Sequence, residues 1–469
     1  NLNLSGLIDQ RHTPYSSSVD IIRNYWSQGV VNPAFADKEQ TMLNYAGLDL
    51  QKNTVAMMTS DISGYQLYKQ KYFQSSASLE YDFGTLTEVL KGLSAKALLG
   101  YDFKYNQDES FRKEYYLYAW NDKSQSYDSQ VYNESTPNNL TRASYNQQQT
   151  LAQFILNYDR TFAEKHKVGA LVGYEVQKHD ADNYYASGDL AFGTPYFTSL
   201  SGENQLVGID KGAFYEVMYQ AVIGRLNYSY ADRYLMEAQF RYDGSSKFAP
   251  GHQWGFFPSV SAGWRISEEP FFKQSPLSFI NQLKIRASYG VLGDDNSMNY
   301  EWISGYTFRG GETPDDGKGW HAGYAPGYMF NGEFVYSVDP SSLPNRNITW
   351  LRSTTFNIGA DFEAWKGKLG ASFDYFHRIR KGIFSRNSVG LPTIVGASAP
   401  YENLDSDSHL GLELELYHKN RVGELSYEIK AMMSVTRQKH LVASQNGGYG
   451  NSSEKWRNDN LNNRYQGVQ

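Results

Sequence analysis

Apolar and polar residues alternate along much of this chain. From Leu283 to Val291 every odd position is apolar, and every even position is basic, small or polar. The same repeat runs through residues 93–106, 168–176 and 410–416. Successive side chains of an extended strand point to opposite faces. A period of two therefore predicts strands that separate an apolar from a polar medium.

The alternation predicts thirteen strands. They span residues 1–9, 73–83, 92–106, 150–160, 167–177, 220–230, 234–242, 254–266, 282–292, 354–364, 368–378, 409–418 and 425–437. Segments of about ten residues with this dyad repeat, separated by turn residues, are typical of an outer-membrane barrel. The predicted fold class is therefore all-β, a transmembrane antiparallel β-barrel.

Short and long connections follow one another between these strands. The short ones are 84–91, 161–166, 231–233, 365–367 and 419–424, and the long ones are 107–149, 178–219, 243–253, 293–353 and 379–408. Only 267–281 breaks the order, because it should be short and yet exceeds 243–253. A soluble β-sandwich or propeller is the alternative, but a sandwich repeats its turns every 8–12 residues. Short periplasmic turns and long outer loops place the 10–72 segment outside the cell.

The polar face of these strands carries charges of both signs. In the hairpin 220–242 the inward positions are Arg225, Asn227, Glu237, Gln239 and Arg241. Further inward charges are Lys284, Arg286, Asp361, Glu363, Glu413 and Glu415. A hydrated lumen should keep such groups close to their solution behaviour. We therefore expect the loss of one of them, such as Arg286, to be tolerated.

Composition narrows the class of protein. A soluble chain of 469 residues would form about three domains, but no linker or composition shift marks a boundary. No run approaches the roughly 18 apolar residues of a membrane helix, and the mean hydropathy of -0.59 reflects polar loops and a polar inner face. Aromatic residues make up 15%, with 38 Tyr and 9 Trp, which suits two membrane interfaces.

Several kinds of chemistry are disfavoured by the residue counts. Cys is absent, which excludes disulfides, a thiolate nucleophile and a cysteine zinc site. The net charge of -6, with both signs well mixed, argues against a nucleic-acid partner. Asn1 follows neither an initiator Met nor a signal sequence, so we expect a mature piece or a fragment.

A family resemblance rests on a specific set of segments. They are RYDGSSKF at 241–248, WGFFPSVSAGWRI at 254–266, EPFF at 269–272, RASYG at 286–290, FNIGADF at 356–362 and DYF at 374–376. In these segments, over about 220–420, the chain resembles the SusC/RagA family of TonB-dependent outer-membrane transporters.

The resemblance implies a 22-stranded barrel filled by an N-terminal plug, energised by the TonB complex and working beneath a SusD-like surface lipoprotein. Residues 1–469 show no segment that resembles the plug, the TonB box or the terminal aromatic strand of that family. We therefore expect 1–469 to be one TonB-dependent receptor-type barrel domain, incomplete at both ends, in contact with outer-membrane lipid.

The sequence gives little support for a catalytic site or a metal site. Three segments offer oxygen ligands but lack the spacing of a calcium loop: Asp243–Ser246, Asp294–Asn296 and Asp405–Ser408. The preferred interpretation is that they are turns in which Asx side chains bond their own backbone. Glu413 and Glu415 fit lumen lining better than an acid/base pair. The nine His residues form no metal-ligand spacing, and the glycines at 310–319 do not follow a strand and open a helix. No catalytic, cofactor-binding or metal residue is predicted.

The predicted contact site lies in the longest loop, where aromatic residues cluster. Its members are Trp302, Tyr306, Trp320, His321, Tyr324 and Tyr328. Aromatic rings stack on sugar rings or hold peptide side chains, but packing within the loop or on a lipoprotein partner is the preferred interpretation.

These observations favour an energised importer of a large nutrient across the outer membrane, an oligosaccharide in the first place and a peptide as the alternative. A passive porin or adhesin-like barrel is the rival of another class. An outer-membrane enzyme is the third hypothesis, and no Ser/His/Asp or acid pair supports it. The sequence does not identify the substrate.

Overall fold

The structure is a computed structural model, and it describes most of the chain. The described residues are 1–27, 32–45, 52–210, 214–295, 300–308, 327–336, 338–340, 343–386, 391–392, 395, 397 and 399–442. Side chains are described in these ranges except at 202–203, 307–308, 327–328, 333–336 and 338–340.

Strands dominate the described residues. In chain order they are β1 (Leu2–Pro14), β2 (Gly64–Asp82), β3 (Leu93–Arg112), β4 (Tyr116–Asn121), β5 (Ser126–Val131), β6 (Asn139–Phe162), β7 (His166–Leu190), β8 (Leu200–Gly208), β9 (Tyr215–Tyr230), β10 (Tyr234–Ser245), β11 (Trp254–Arg265), β12 (Ile280–Asp294), β13 (Tyr306–Phe308), β14 (Gly327–Phe330), β15 (Glu333–Tyr336), β16 (Val338–Pro340), β17 (Leu351–Ala364), β18 (Leu369–Arg386), β19 (Tyr401–Val422) and β20 (Leu425–Val442). The helices are α1 (Ser18–Ser27), α2 (Thr54–Met58), α3 (Ser60–Ser63) and α4 (Pro270–Lys273). None of these helices combines the length and apolar character that crossing a bilayer requires.

Fourteen strands form one large sheet. Its order is β1-β2-β3-β6-β7-β9-β10-β11-β12-β17-β18-β19-β20, with β8 attached to β7. The strands of this order occur in the same order along the chain, as in a meander, and β4, β5, β8 and β13 to β16 lie in the connections between them. Three separate two-stranded sheets are formed by β4 with β5, β13 with β16, and β14 with β15.

All thirteen predicted strands are confirmed, but most of them are longer than predicted, chiefly at the end that leads into a long connection. At the short turns the bounds agree closely, since β9 ends at Tyr230 and β10 begins at Tyr234. At the long connections β7 runs to Leu190 instead of 177, and β19 begins at Tyr401 instead of 409. Backbone pairing continues there, while alternation fades because both faces can meet water.

The register places apolar side chains on one face and polar side chains on the other. One outward row joins Ala262, Ala287, Ile358, Tyr375, Leu412 and Val435 through consecutive cross-strand pairs. The next row, on the inner face, joins Ser261, Ser288, Asn357, Phe376, Gly411 and Thr436. The outward rows leave large apolar side chains exposed, among them Leu226, Met236, Val260, Ile285, Phe373, Leu412 and Met433. An exposed apolar band of this extent suits lipid, not water.

Aromatic rings gather at the short turns. Tyr234 stacks on Tyr230 at 6.3 Å and on Trp264 at 6.5 Å between ring centroids. Trp264 also donates its indole N–H to Glu269, which accepts a second bond from Arg233. Rings with a polar tip are favoured where hydrocarbon gives way to head groups. This end of the outward face therefore has the composition of a membrane interface.

The described residues also form two compact units. One comprises Asn1–Ser78, Leu98–Ala152 and Gln177–Val217, and the other Leu79–Ala97, Gln153–Val176 and Met218–Gln469. The first unit contains two apolar cores, one around Leu117 and Ala56 and one around Phe111 and Leu140. The second unit contains a core in which Phe248, Phe257, Ile348 and Trp350 pack together.

Glycines on the sheet allow aromatic side chains to lie across the backbone. Gly370 opposes Tyr417, whose ring lies over the glycine and whose hydroxyl donates to Glu363 on the far side at 2.9 Å. A Cβ built on Gly370 would lie 2.1 Å from that ring. Phe376 over Gly411 and Phe240 over Gly224 repeat the arrangement. Such pairs compensate for the weak β propensity of glycine.

Replacing Gly370 with Ala should therefore destabilise the barrel by about 1–3 kcal/mol, because the Tyr417 ring must move and lose its bond to Glu363. The measurement is the temperature at which the barrel of the full-length receptor loses its folded mobility on an SDS gel. Gly100→Ala is the control, because its Cβ would meet Leu151 only at an ordinary 3.5 Å. Equal effects of the two changes would contradict this account.

Candidate functional site

The structure describes only part of the predicted aromatic site. Trp302 is partly buried, and its indole nitrogen has no acceptor among the described residues. Tyr306 begins β13 and is 69% exposed. Trp320, His321 and Tyr324 lie outside the described residues, as does the side chain of Tyr328, whose backbone belongs to β14. Contact of this cluster with a ligand or partner therefore stays a prediction.

An ionic network centred on Arg286 lies on the inner face of β12, β17 and β18. Arg286 donates to Asp361 on the neighbouring strand, with Nε 3.2 Å from Oδ2. It also reaches Asp374 one strand further, with Nη1 2.7 Å from Oδ1 and Nη2 2.6 Å from Oδ2. Ser372 donates to Asp361 at 3.0 Å. One guanidinium thus bridges two carboxylates in the forked geometry that strengthens such bonds.

Gly359 makes the longer reach of Arg286 possible. The register sets Arg286 opposite Gly359, and Gly359 opposite Asp374. A Cβ on Gly359 would lie 2.8 Å from the guanidinium carbon and 2.7 Å from Asp374 Oδ1. Only a residue without a side chain lets the guanidinium cross this strand. Arg286 is consequently not the independent, freely hydrated charge that the sequence suggested.

Other inner charges are paired as well. Arg241 Nη2 lies 3.3 Å from Glu175 Oε1 and 2.9 Å from Asp243 Oδ1, while Gln153 donates to Glu175 at 2.8 Å. Lys430 lies 2.8 Å from Glu415. Groups held in pairs serve to line and rigidify a wall, and they lack the isolated carboxylate in apolar surroundings that an active-site acid needs.

The segments weighed as cation loops instead bond within the protein. Ser245 donates to Asp295 at 2.7 Å, and the ammonium of Lys247 lies 3.7 Å from the same carboxylate. Asp407 accepts from Arg380 and from Gln438. Within the described ranges, no group of three or more His, Asp or Glu residues could hold a metal ion. Asn296 lies outside those ranges.

A cavity of about 640 Å³ adjoins the Arg286 network in the second unit. Polar groups that line it include Asp159, Lys167, Asn227, Ser229, Glu237, Ser261, Lys284, Arg286, Ser288 and Asn357. Both signs of charge and several amide or hydroxyl groups face this space. It can hold water and polar ligands, but its lining is not selective for one charge.

A second cavity, of about 510 Å³, lies in the first unit near the loop ends of β1, β2 and β3. The guanidinium carbon of Arg11 lies 5.6 Å from the centroid of the Tyr68 ring. Asp108, Thr13, Gln66, Ser110 and Thr141 also line the space. On β3, two residues before Asp108, the buried Oδ1 of Asn106 has no donor among the described residues. This surface offers many hydrogen bonds and one aromatic ring.

A further surface is a helix that the sequence reading missed. In α1 the side chains of Val19, Ile22 and Trp26 are 54%, 55% and 80% exposed, and Tyr25 is 66% exposed. The spacing i, i+3, i+7 was a visible helical signal inside the 10–72 segment. Elsewhere in this unit, Lys52 donates to Glu134 and thereby lowers the pKa of that carboxyl.

Comparison with known proteins agrees with this architecture. A family model described as "TonB dependent receptor-like, beta-barrel" matches residues 21–468. TonB-dependent receptor P39 of Formosa agariphila is 30% identical over 270 residues, which cover 56% of this chain and 23% of that protein. TonB-dependent receptor SusC of Bacteroides thetaiotaomicron is 31% identical over 220 residues, which cover 44% of this chain and 19% of that protein.

The fold is also similar to solved structures. A structure of the RagAB peptide transporter matches with a TM-score of 0.67 at 19% identity, covering 96% of this chain and 45% of that one. A structure of the RagAB peptide importer in the open-open state gives 0.62 at 21% identity, covering 82% and 37%. This chain spans less than half the length of these relatives. The resemblance to SusC and RagA is thus confirmed, and the chain belongs to the TonB-dependent receptor-like β-barrel family of outer-membrane proteins.

Proposed function

We propose that this chain is the barrel part of an importer that takes a large nutrient through the outer membrane with energy from the TonB complex. The observation that carries the proposal is the family match over residues 21–468, together with a sheet that has one apolar and one polar face. A passive porin or adhesin-like barrel would share the two faces. The family match favours energised import over that rival.

The proposed role of the inner face is that of a wall, without catalysis. Its charges pair with each other, as Arg286 does with Asp361 and Asp374. Glu413 opposes Asp374 in the register, and Glu415 is held by Lys430. A nucleophile with an adjacent base, or a carboxyl pair in a dry cleft, would be needed for the enzyme hypothesis.

The proposed cargo is an oligosaccharide. In support, the 510 Å³ cavity combines the Tyr68 ring with Arg11, Asp108, Gln66 and hydroxyl groups. Planar polar side chains beside an aromatic ring suit a ligand rich in hydroxyl groups. A peptide is the second candidate, because the similar solved structures are of a peptide importer. The same polar groups could bond a peptide backbone.

We further propose that the outer loops bind a SusD-like surface lipoprotein. The exposed Val19, Ile22 and Trp26 of α1 would form one contact, and the aromatic loop from Trp302 to Tyr328 would form another. Exposed apolar and aromatic side chains of this kind are typical of protein interfaces. In a passive pore without a partner protein, these apolar side chains would remain exposed to water.

Whole-cell uptake tests the proposal. Cells carrying the full-length receptor should accumulate a labelled oligosaccharide, and deletion of the TonB-contacting segment should abolish this accumulation because the energy source is lost. Alanine at Glu413 and Glu415 together should leave uptake within about a factor of ten, roughly 1.4 kcal/mol, since these groups only line the wall.

A labelled peptide of similar mass serves as the matched ligand. Accumulation of the peptide alone would move the assignment to the second candidate. Uptake that survives the TonB deletion would overturn the energised importer, and substrate turnover that stops in the double Glu variant would instead indicate an enzyme.

A further inference from the structure

Four cations stand on the outward, apolar side of the sheet near the loop ends of its last strands. They are Arg352 on β17, Lys381 on β18, and Arg437 and Lys439 on β20. All four are exposed. We name them the cationic cluster. None of the four lines either cavity.

The register shows that the cationic cluster shares its face with the lipid-facing band. Arg437 opposes Leu410, which belongs to the row of His377 and Phe356. Lys439 lies one row further in the row of Ser408, Ile379 and Thr354, and Lys381 with Arg352 one row beyond. None of these three rows contains a carboxylate. The cations therefore follow directly on the apolar band.

The height of the cluster can be read along β20. From Leu425 to Val435 the outward positions are Leu425, Tyr427, Ile429, Ala431, Met433 and Val435. At roughly 3.4 Å per residue and a strand tilt of about 40°, these residues rise about 26 Å, which is close to the roughly 25 Å height of a lipid-facing band. Arg437 and Lys439 come next. They stand where the hydrocarbon of the outer leaflet ends and its head groups begin.

The positive charges of the cationic cluster repel one another, which destabilises the folded protein. Arg352 and Lys381 are direct cross-strand partners. Like charges directly opposite each other destabilise a sheet. Among the described residues no member of the cluster forms an ion pair, although Arg352 lies 6.0 Å from the centroid of the Phe257 ring. An external anion would remove the repulsion.

We propose that the cationic cluster binds the phosphate groups of a phosphorylated glycolipid in the outer leaflet. Its two arginines can hold phosphate oxygens through two parallel N–H bonds, and its two lysines add point charges. The acyl chains of the same lipid lie on the apolar rows below. Basic groups beside a membrane surface attract anionic head groups in this way. Lipid binding of this kind is independent of the cargo and of TonB.

The test measures lipid retention by the full-length receptor. The receptor is reconstituted in phosphatidylcholine vesicles containing lipid A, re-extracted in mild detergent, and its bound lipid A is counted by native mass spectrometry. Arg352→Gln with Arg437→Gln should reduce retention, and adding Lys381→Gln and Lys439→Gln should reduce it by at least about tenfold. The matched control is Arg225→Gln with Arg378→Gln, which removes two exposed arginines from the inner face.

Two further arms identify the group that binds. Lipid A without phosphates should be retained no better by the parent than by the fourfold variant, and inorganic phosphate should not displace intact lipid A. Equal loss in the inner-face control, or equal retention of the dephosphorylated lipid, would overturn the proposal. Full displacement by inorganic phosphate would assign the cluster to free phosphate instead. Folded mobility on an SDS gel is checked for each variant, and the double variants decide if the fourfold one fails to fold.

Discussion

Ala287→Arg should sharply reduce the amount of assembled barrel, with a cost of about 2–4 kcal/mol for an arginine in the middle of the lipid-facing band. Ala287 lies in β12 between Ala262 and Ile358, and the same row continues through Tyr375, Leu412 and Val435. No charge lies in this row to pair with a guanidinium. The side chain would have to reach several rows to find water.

The neighbouring residue provides the control. Ser288 lies on the inner face between Ser261 and Asn357, and Ser288→Arg places the same guanidinium among hydroxyl and amide groups. The measurement is the fraction of full-length receptor that shows folded mobility on an SDS gel after membrane extraction. Ala287→Arg should lower that fraction and Ser288→Arg should not. Equal tolerance of both would mean that lipid does not contact the outward face.

The sequence was most informative where a strand meets two unlike media. In β12 the alternation from Leu283 to Val291 defines both faces, and the structure places strand and faces as predicted. Turn ends such as Tyr230 and Tyr234 were equally well defined, because apolar alternation stops abruptly at a short polar turn. At the loop ends the alternation fades before the strand does, so the prediction stopped β7 at 177 although it runs to Leu190.

What the sequence could not supply is the partner of each residue. The hairpin of β4 and β5 lies within the predicted 107–149 connection, and it packs through Leu117 into a core with Ala56 and Leu43 from distant segments. Such contacts depend on how far each loop folds back. The partners of residues on the inner face were equally out of reach of the sequence. Alternation correctly placed Arg286 and Asp361 on that face. Only the register shows that Asp374 lies within reach of Arg286 across Gly359.

Arg286→Ala should destabilise the barrel by about 1–3 kcal/mol, because two carboxylates then lose their shared cation. The side chains of Asp361 and Asp374 are only 25% and 17% exposed, so water replaces the guanidinium incompletely. Glu413 lies opposite Asp374 and adds a third negative charge to the same part of the wall. Arg286→Lys should retain only part of this stability, because one ammonium cannot reproduce the forked hydrogen bonds that the guanidinium makes to both strands.

A second substitution separates the ionic network from simple loss of packing. Asp374→Asn in the Arg286→Ala background removes the uncompensated charge and should restore part of the lost stability, whereas Asp374→Asn alone should destabilise. Arg378→Ala is the control, because Arg378 is an exposed inner arginine of β18 without an ion pair among the described residues. Heat-dependent mobility of the full-length receptor on an SDS gel gives the stabilities. If Arg286→Ala proves no worse than Arg378→Ala, or if Asp374→Asn deepens the loss instead of relieving it, the bridge between β12 and β18 does not stabilise this wall.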